Sequence, residues 1–508
     1  MKLSKMMLAV ALLGGATSTF AAPAASAIVR ISGASAIKGN IALALNGLCT
    51  TALGTMQEWI SGGNISTYVC TPAGGLTSGT AGTYNSTAST AFIPFDATSG
   101  FVEVRLNVAG GSFTALQSLA AAAGGSFQDR YVDPDAGGAS VVGGAANNIT
   151  ATGGAVVTEV GIGGFSDVNY EGWASSVLAT VPGLDAIVVG NTAQLVNVAQ
   201  GFGVAVSDAL YNAMFVRQQT DNLIPAAPTC LVTTTGNPVC VPSIGKGQMA
   251  AIMNADTFST AKTLGAQFLA SQVPLNSELR YARRVDTSGT QASAVNYFLG
   301  LGNMSQPVPV LPDPSNRTNL AAVVAVSGCN IGDLRGPLSG NQEVDTAFVA
   351  SGQIDLCDRK SGNLRTLGAP GTSDVRNELN KSTILGGATN YAIGVMSLEN
   401  DQPTFRNSAG TSTPTLWKWI RVQQAHGVEN ATPGANSNRA AITDGRYDFY
   451  YETWAYTFND AAGKNNALIG GIITQLGGPL LKGLVELGTG ANQSPYNRGG
   501  RTDTPSSR

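Results

Sequence analysis

The chain has 508 residues, of which 43% are hydrophobic and only 12% are charged. Its formal net charge is −3, so it lacks the basic excess that nucleic-acid-binding proteins use to hold phosphate backbones. The length allows two or more lobes with a sizeable core, and few charges beside 63 glycines are typical of an extracytoplasmic protein.

The N-terminal residues 1–27 have the pattern of a secretory signal peptide. Two lysines precede an apolar run over residues 6–13, and small residues follow it. Cleavage after Ala21 and cleavage after Ala27 both fit the pattern, and no cysteine lies near either point to carry a lipid anchor. The sequence therefore predicts a protein of the periplasm or of the extracellular space.

The cysteine pattern predicts disulfides. An even number of cysteines in an exported chain favours pairing, and we expect neighbours in sequence to pair, although other pairings are open. No C-x-x-C motif is present and His426 is the only histidine, so we expect neither a zinc site nor a histidine-based triad. The expected pairs are Cys49 with Cys70, Cys230 with Cys240 and Cys329 with Cys357.

Three strand–turn–helix units follow the signal in the first part of the chain. The first has a strand at 28–31, a turn of small residues and an apolar helix at 37–48. The second has a strand at 101–108, a Gly/Ser turn and a helix, and the third has a strand at 156–167 that ends in Ser166-Asp167. The stretches between them are rich in Gly, Ala, Ser and Thr, which predicts loop insertions at about 50–100 and 121–154.

A fourth unit lies in the middle of the chain. Residues 279–284 read as a strand, residues 287–290 as a tight turn, and apolar residues then recur at helical spacing. The first N–H groups of a helix have no partner within it and lie at the positive end of its dipole. With Arg284 at the strand end, Ser288, Gly289 and Thr290 could bind a small tetrahedral anion. The alternative is that Ser288 only caps the helix and Arg284 is a surface charge.

The remaining elements alternate strands and helices. A buried strand is predicted at 201–206, and loops with one strand at 323–326 over residues 301–365. A turn at 368–375 opens an amphipathic helix, and strands follow at 391–399 and 447–458. The closing helix at 467–484 carries Gln, Pro and Lys and so does not suit a membrane span, and the tail from 488 is predicted to be disordered.

The central segment resembles a specific family. Arg284-x-Asp286-x-Ser288-Gly289-Thr290 resembles the R-x-D-G-S-G-T segment of the phosphate-binding proteins that serve bacterial phosphate ABC importers, with Thr287 in place of the usual Gly. The resemblance implies that Arg284, Ser288, Gly289 and Thr290 contact phosphate.

Other segments match that family in order. Ser166-Asp167 is similar to its D-F-G-A-S-D-A segment, and the resemblance implies that Asp167 accepts a hydrogen bond from a protonated phosphate oxygen. Sulfate has no such proton, so it would leave two like charges buried together. The remaining residues implied are Gly111 and Ser112, from the G-S-S-G-G segment, and Ser35, Ile37 and Lys38, from the opening turn. Ile37 and Lys38 stand where the family has a Thr and an aromatic, so only backbone donation could survive there.

The resemblance implies a two-lobed α/β fold of the type II periplasmic binding class, with the ligand cleft between the lobes. Residues 28–203 and 401–487 would form the first lobe and residues 204–400 the second. The implied function is a monomeric, cofactor-free phosphate receptor for an inner-membrane ABC permease, or a scavenger, rather than an enzyme. The alternative is a secreted or surface protein that uses this fold for another ligand or for interactions. A hydrolytic role for Ser288 would need a base, and the sequence offers no candidate.

Overall fold

The computed structural model describes part of the chain. The described residues are 27–48, 56–61, 64–70, 102–133, 140–141, 148–152, 155–173, 175–234, 236–253, 277, 279–299, 358–361, 364–369, 371–383, 387–400, 404–406, 412–425, 440–443, 445–460, 464–476, 484–486, 496–497 and 506–507. The predicted signal peptide up to residue 26 and the predicted strand at 323–326 lie outside them.

The described residues form a mixed α/β structure with one large curled sheet. Its strands, together with six strands in three small two-stranded ladders, are β1 (Ala27–Gly33), β2 (Met56–Ser61), β3 (Ile65–Cys70), β4 (Val102–Asn107), β5 (Asp129–Asp133), β6 (Ser140–Val141), β7 (Asn148–Thr152), β8 (Ala155–Glu159), β9 (Gly163–Ser166), β10 (Thr192–Val206), β11 (Ser243–Ile244), β12 (Leu279–Arg284), β13 (Asp358–Ser361), β14 (Leu364–Ala369), β15 (Tyr391–Ser397), β16 (Thr404–Arg406), β17 (Ser412–Pro414), β18 (Lys418–Val422), β19 (Tyr450–Thr457), β20 (Leu484–Glu486), β21 (Tyr496–Asn497) and β22 (Ser506–Ser507). The helices are α1 (Lys38–Leu48), α2 (Thr114–Ala122), α3 (Ser175–Leu178), α4 (Leu184–Val189), α5 (Asp208–Thr220), α6 (Lys246–Met253), α7 (Gly289–Leu299), α8 (Thr372–Leu379), α9 (Ala440–Thr443) and α10 (Lys464–Leu476). Short 3₁₀ turns cover Tyr170–Gly172, Pro238–Cys240 and Leu398–Asn400.

Two groups of parallel strands determine where the turns lie. The sheet runs in the order β13-β14-β12-β15-β10-β19-β9-β1-β4-β3-β2-β7-β6. Strand β1 is parallel to both β4 and β9, and β12 is parallel to both β14 and β15. Parallel neighbours end at the same edge of a sheet, so the turns that follow β1, β4 and β9 are neighbours, as are those after β12, β14 and β15.

Strand β10 connects the two groups. Residues 192–201 pair antiparallel with β19, whereas residues 202–206 pair antiparallel with β15 and, in part, with β18. The strand predicted at 201–206 is therefore the last part of a 15-residue strand. This single strand carries the chain from one parallel group to the other.

The core has two main apolar clusters. The first surrounds β10, β15 and β18 and includes the buried rings of Trp173, Tyr211 and Trp419. The second lies between β1, α1 and α10, where Ile31 and Ile37 pack with residues such as Phe165 and Leu468. Ile37 is 1% exposed, so its side chain belongs to this core.

Three sequence predictions about the first half differ from the structure, and one of them is the loop insertion at about 121–154, where β5, β6 and β7 form. Residues 56–61 and 65–70 form paired strands within a stretch predicted to be loops, because β-branched and aromatic residues recur there beside the small ones. The single strand predicted at 156–167 is two strands, of which β8 pairs with β5 and β9 pairs with β1 and β19. Gly163 and Gly164 begin β9 with φ values of +125° and +151° and lie against neighbouring backbone, where a Cβ would not fit.

A disulfide closes the loop after α5. The Cα atoms of Cys230 and Cys240 lie 5.2 Å apart, and both side chains are buried with Phe215 and Ile224, in agreement with the predicted pairing. This bridge is consistent with an extracytoplasmic location. Cys70 ends β3 with its side chain undescribed and Cys49, Cys329 and Cys357 lie outside the described residues, so the other two pairings stay predictions.

The C-terminal elements also depart from the predicted pattern. The closing helix ends at Leu476, and Leu484 begins β20, which pairs with β10 instead of continuing the helix. Strands β21 and β22 pair within the tail that was predicted to be disordered, most of which lies outside the described residues. In the described part of the chain, no helix combines the length and the apolar character that a membrane crossing requires.

Candidate functional site

The central strand–turn–helix lies as the sequence predicts. Arg284 is the last residue of β12 and Gly289 is the first of α7. In the turn the Ser288 N–H donates to Val285 O at 3.0 Å, and Ala292 N–H donates to Ser288 O at 3.0 Å. Thr287 does not have a positive φ, so the turn forms without the glycine that the resembling family has at this position.

Two other predicted residues meet the start of this helix. Ser112 Oγ donates to Asp167 Oδ2 at 2.9 Å, and both side chains are buried. A Cβ placed on Gly289 would lie 2.3 Å from Ser112 Oγ and 2.7 Å from Asp167 Oδ2. Three segments that are far apart in sequence therefore converge where α7 begins.

Gly111 allows the second turn to dock against the central one. Its φ is +80°, and a Cβ on it would lie 2.8 Å from Thr287 O. The Phe113 N–H, two residues after Gly111, donates to the same Thr287 carbonyl at 3.1 Å. Contacts between the two turns thus place Ser112 beside Gly289.

Arg284 is oriented by residues at the end of β14 and the start of α8. The sequence did not indicate that these residues contact Arg284. The guanidinium is buried; its Nε donates to Ala369 O at 3.2 Å and its Nη1 donates to Thr372 Oγ1 at 2.6 Å. Ala369 ends β14 and Thr372 is the first residue of α8. The turn at 368–375 was recognisable in the sequence, but nothing in it pointed to Arg284.

Asp167 has an unusual electrostatic environment. Burial raises the pKa of its carboxyl to about 7; Ser112 and Arg284 act in the opposite direction, and Glu399 raises the pKa further. Its second oxygen, Oδ1, is buried and has no hydrogen-bond partner among the described residues. Leaving a buried acceptor unpaired costs about 1–3 kcal/mol, so this atom favours a guest that can donate a hydrogen bond.

The opening turn contributes less than the sequence predicts. Ser35 lies at the turn before α1, where its carbonyl accepts from Lys38 N–H at 3.2 Å, and Ala34 N–H donates to Phe165 O at 2.8 Å. These contacts bring the turn close to β9, whose end precedes Asp167. The Ile37 side chain is buried in the second apolar cluster and is not available to a polar ligand.

Two charged residues near Asp167 were missed by sequence reasoning. Glu399 follows β15, and its Oε1 accepts from Ser397 Oγ at 2.6 Å and from Asn400 Nδ2 at 2.9 Å. Arg376 lies one turn after Thr372 on α8; burial lowers its pKa, while Glu399 and Asp374 oppose that shift. No motif marks either residue, because their proximity depends on the parallel pairing of β12 with β14 and β15.

Comparisons with known proteins leave the family open. No family model matches the chain, and no curated protein matches it. Among solved structures, an ABC-type phosphate transport receptor from Vibrio cholerae is similar at 10% sequence identity with a TM-score of 0.25, over 56% of this chain and 66% of that receptor. The predicted family therefore stays a prediction.

Replacement of Gly289 by alanine is expected to destabilise the protein. The new methyl group would overlap Ser112 Oγ and Asp167, whose Cβ would be 2.9 Å away, so we expect a loss of about 1–3 kcal/mol in the free energy of unfolding. Gly247→Ala is the matched control, because Gly247 also lies in the first turn of a helix and has nothing within 4 Å of its Cβ position. Chemical denaturation of both variants measures the difference; equal stability would contradict the close approach.

Proposed function

We propose that this protein binds inorganic phosphate or a similar small, proton-bearing oxyanion. The main support is the convergence of Ser112, Asp167 and Gly289, the first residue of α7. The Arg284 guanidinium is near enough to affect the pKa of Asp167. Helix N-terminal N–H groups and arginine provide hydrogen-bond donors and positive charge for an anion. The buried Asp167 Oδ1 provides an acceptor for a proton that the anion carries.

This combination favours phosphate over sulfate. HPO₄²⁻ and H₂PO₄⁻ have a P–OH group that can donate to Asp167, whereas sulfate at neutral pH has no proton to offer. An ionised Asp167 would then face a second negative charge in a buried place, which is unfavourable. Discrimination should be strongest above pH 7, where Asp167 is mostly ionised.

The proposed roles of the other residues follow from their positions. Ser288 and Thr290 flank Gly289 and are buried with it, so their hydroxyls and the Thr290 N–H are the proposed further donors. Ser35 remains a proposed contact of the neighbouring turn, whereas the Lys38 N–H already donates to Ser35 O at 3.2 Å and Ile37 has no side-chain role. The two parallel strand groups joined by β10 support a proposed arrangement of two lobes that close on the ligand.

We further propose that the protein acts outside the cytoplasm, either as the receptor of an ABC permease or as a scavenger. The disulfide between Cys230 and Cys240 supports the location. The core position of Ile37 supports the alternative, that the fold serves another ligand or an interaction, because it removes one hydroxyl contact that phosphate would have had.

Calorimetry with phosphate, arsenate and sulfate at about pH 8 tests the proposal. We expect phosphate and arsenate to bind and sulfate to bind at least about 100-fold more weakly, since only the first two carry a proton. In Asp167→Asn the amide can donate to sulfate, so the difference between phosphate and sulfate should shrink. Failure of phosphate to bind would remove the proposal and leave the alternative.

A further inference from the structure

Glu399 and Arg376 lie beside the site but are not among the residues proposed to donate hydrogen bonds to the anion. Strands β12 and β15 are parallel, with Ala282 beside Gly394, so the segment after β15 lies at the same edge as Arg284. Glu399 is held there by the Ser397 hydroxyl and the Asn400 amide. Its carboxylate therefore has a defined position at this edge of the sheet, from which its charge acts on Asp167.

Arg376 is placed to offset this charge. Arg284 at the end of β12 donates to Thr372, and Arg376 follows Thr372 on α8 by one helical turn, so both guanidinium groups lie beside the first turn of α8. Arg376 interacts electrostatically with Glu399 and Asp374, and its Nε is buried with no hydrogen-bond partner in the described part of the chain. The charged groups acting on Asp167 are therefore Arg284 directly, Glu399 directly, and Arg376 through Glu399.

We propose that Glu399, opposed by Arg376, determines the pH at which this site begins to accept fully ionised anions. The inference rests on the proposed function. An anion without a proton can lie against Asp167 only when Asp167 is itself protonated and can donate. The affinity for such an anion should therefore follow the protonated fraction of Asp167 in the free protein.

The direction of each effect follows from charge. The negative charge of Glu399 makes ionisation of Asp167 less favourable, so Asp167 stays protonated to higher pH. The site therefore binds fully ionised anions up to a higher pH. Arg376 weakens that influence by partly neutralising Glu399. The pair would thus adjust anion specificity without contacting the ligand.

The experiment measures the pH midpoint of Asp167 ionisation in two ways, through sulfate affinity and through the NMR signal of the carboxyl group. Sulfate affinity is measured by calorimetry from about pH 5 to about pH 9, and the Asp167 carboxyl of the ligand-free protein is titrated by ¹³C NMR, with Asp167→Asn assigning its signal. Glu399→Gln keeps the acceptor oxygen and removes the charge; we expect both midpoints to fall by about 0.5 pH unit or more. Arg376→Gln should raise them, and Arg376→Lys, which keeps the charge, should leave them near those of the unaltered protein.

Glu171→Gln is the matched control, because Glu171 is an exposed carboxylate four residues from Asp167 and does not act on it. If the pH midpoint of sulfate affinity is unchanged or higher in Glu399→Gln, this inference is overturned while the proposed function stands. Absence of binding by both phosphate and sulfate at every pH would overturn the proposed function and this inference with it.

Discussion

Arg284→Ala is expected to reduce phosphate affinity by about 100-fold or more. The guanidinium is 4% exposed and is oriented by Ala369 O and Thr372 Oγ1, so it meets an anion already desolvated and positioned. Losing such charge-assisted hydrogen bonds costs about 3 kcal/mol, which corresponds to this factor. Calorimetry with phosphate measures the loss.

The control for this prediction is Arg217→Ala. Arg217 is exposed on α5, pairs with Asp221 at 2.8 Å, and its removal changes the net charge by the same amount. Its phosphate affinity should be close to that of the unaltered protein. Circular dichroism should show that both variants are folded. A folded Arg284→Ala protein with unchanged affinity would place the anion elsewhere.

Asp167→Asn is expected to stabilise the ligand-free protein at alkaline pH. In the folded state the Asp167 pKa is raised to about 7, whereas in the unfolded chain it is about 3.9. Between these values the folded state holds a proton that the unfolded state does not, so the stability of the unaltered protein falls as pH rises through this window. This loss in the free energy of unfolding is complete above about pH 7 and reaches up to about 4 kcal/mol.

Asparagine does not ionise, so the variant lacks this cost. Its free energy of unfolding should exceed that of the unaltered protein by up to about 4 kcal/mol at pH 8, and the difference should be smallest near pH 4. Asp185→Asn, at an exposed position in the first turn of α4, serves as the control. Urea unfolding at a series of pH values measures the curve, and a difference that does not depend on pH would contradict a buried Asp167 carboxyl.

This cost fits a binding site better than a purely structural role. A buried carboxylate oxygen without a donor destabilises the empty protein, and a ligand with a donor group removes that penalty when it binds. The Arg280–Glu378 pair offers a contrast in the same protein. There the carboxylate is completely buried but accepts from Arg280 at 2.9 Å and from Lys381 at 2.6 Å. Asp167 Oδ1 differs from the Glu378 carboxylate in having no hydrogen-bond donor among the described residues.

Much of the candidate site could be predicted because its signals are local. The strand at 279–284, the turn and the helix at 289–299 follow from apolar spacing and turn residues within about twenty positions. Asp167 and Ser112 were selected because their order matched a family pattern, and they do meet each other and Gly289. Their convergence was implied by that resemblance and did not follow from periodicity.

Other features could not be predicted from local patterns. Ile37 occupies an apparent ligand position, yet it packs with Ile31 and Leu468 because α10 returns from the far end of the chain to cover α1. The predicted single strand at 156–167 splits because its two halves, β8 and β9, pair with different strands, β5 and β19.

By itself, the sequence determined the strand–turn–helix units, the exported character that we predict and the residue types available to an anion, since these depend on spacing and composition along the chain. Only the tertiary structure decided that Thr372 orients Arg284 and that Glu399 acts on Asp167. The first is a hydrogen bond and the second an electrostatic effect, and they join residues about 90 and 230 positions apart. The parallel pairing of β12 with β14 and β15 places their ends at one edge, and strand pairing is a property of the assembled sheet, not of any one segment.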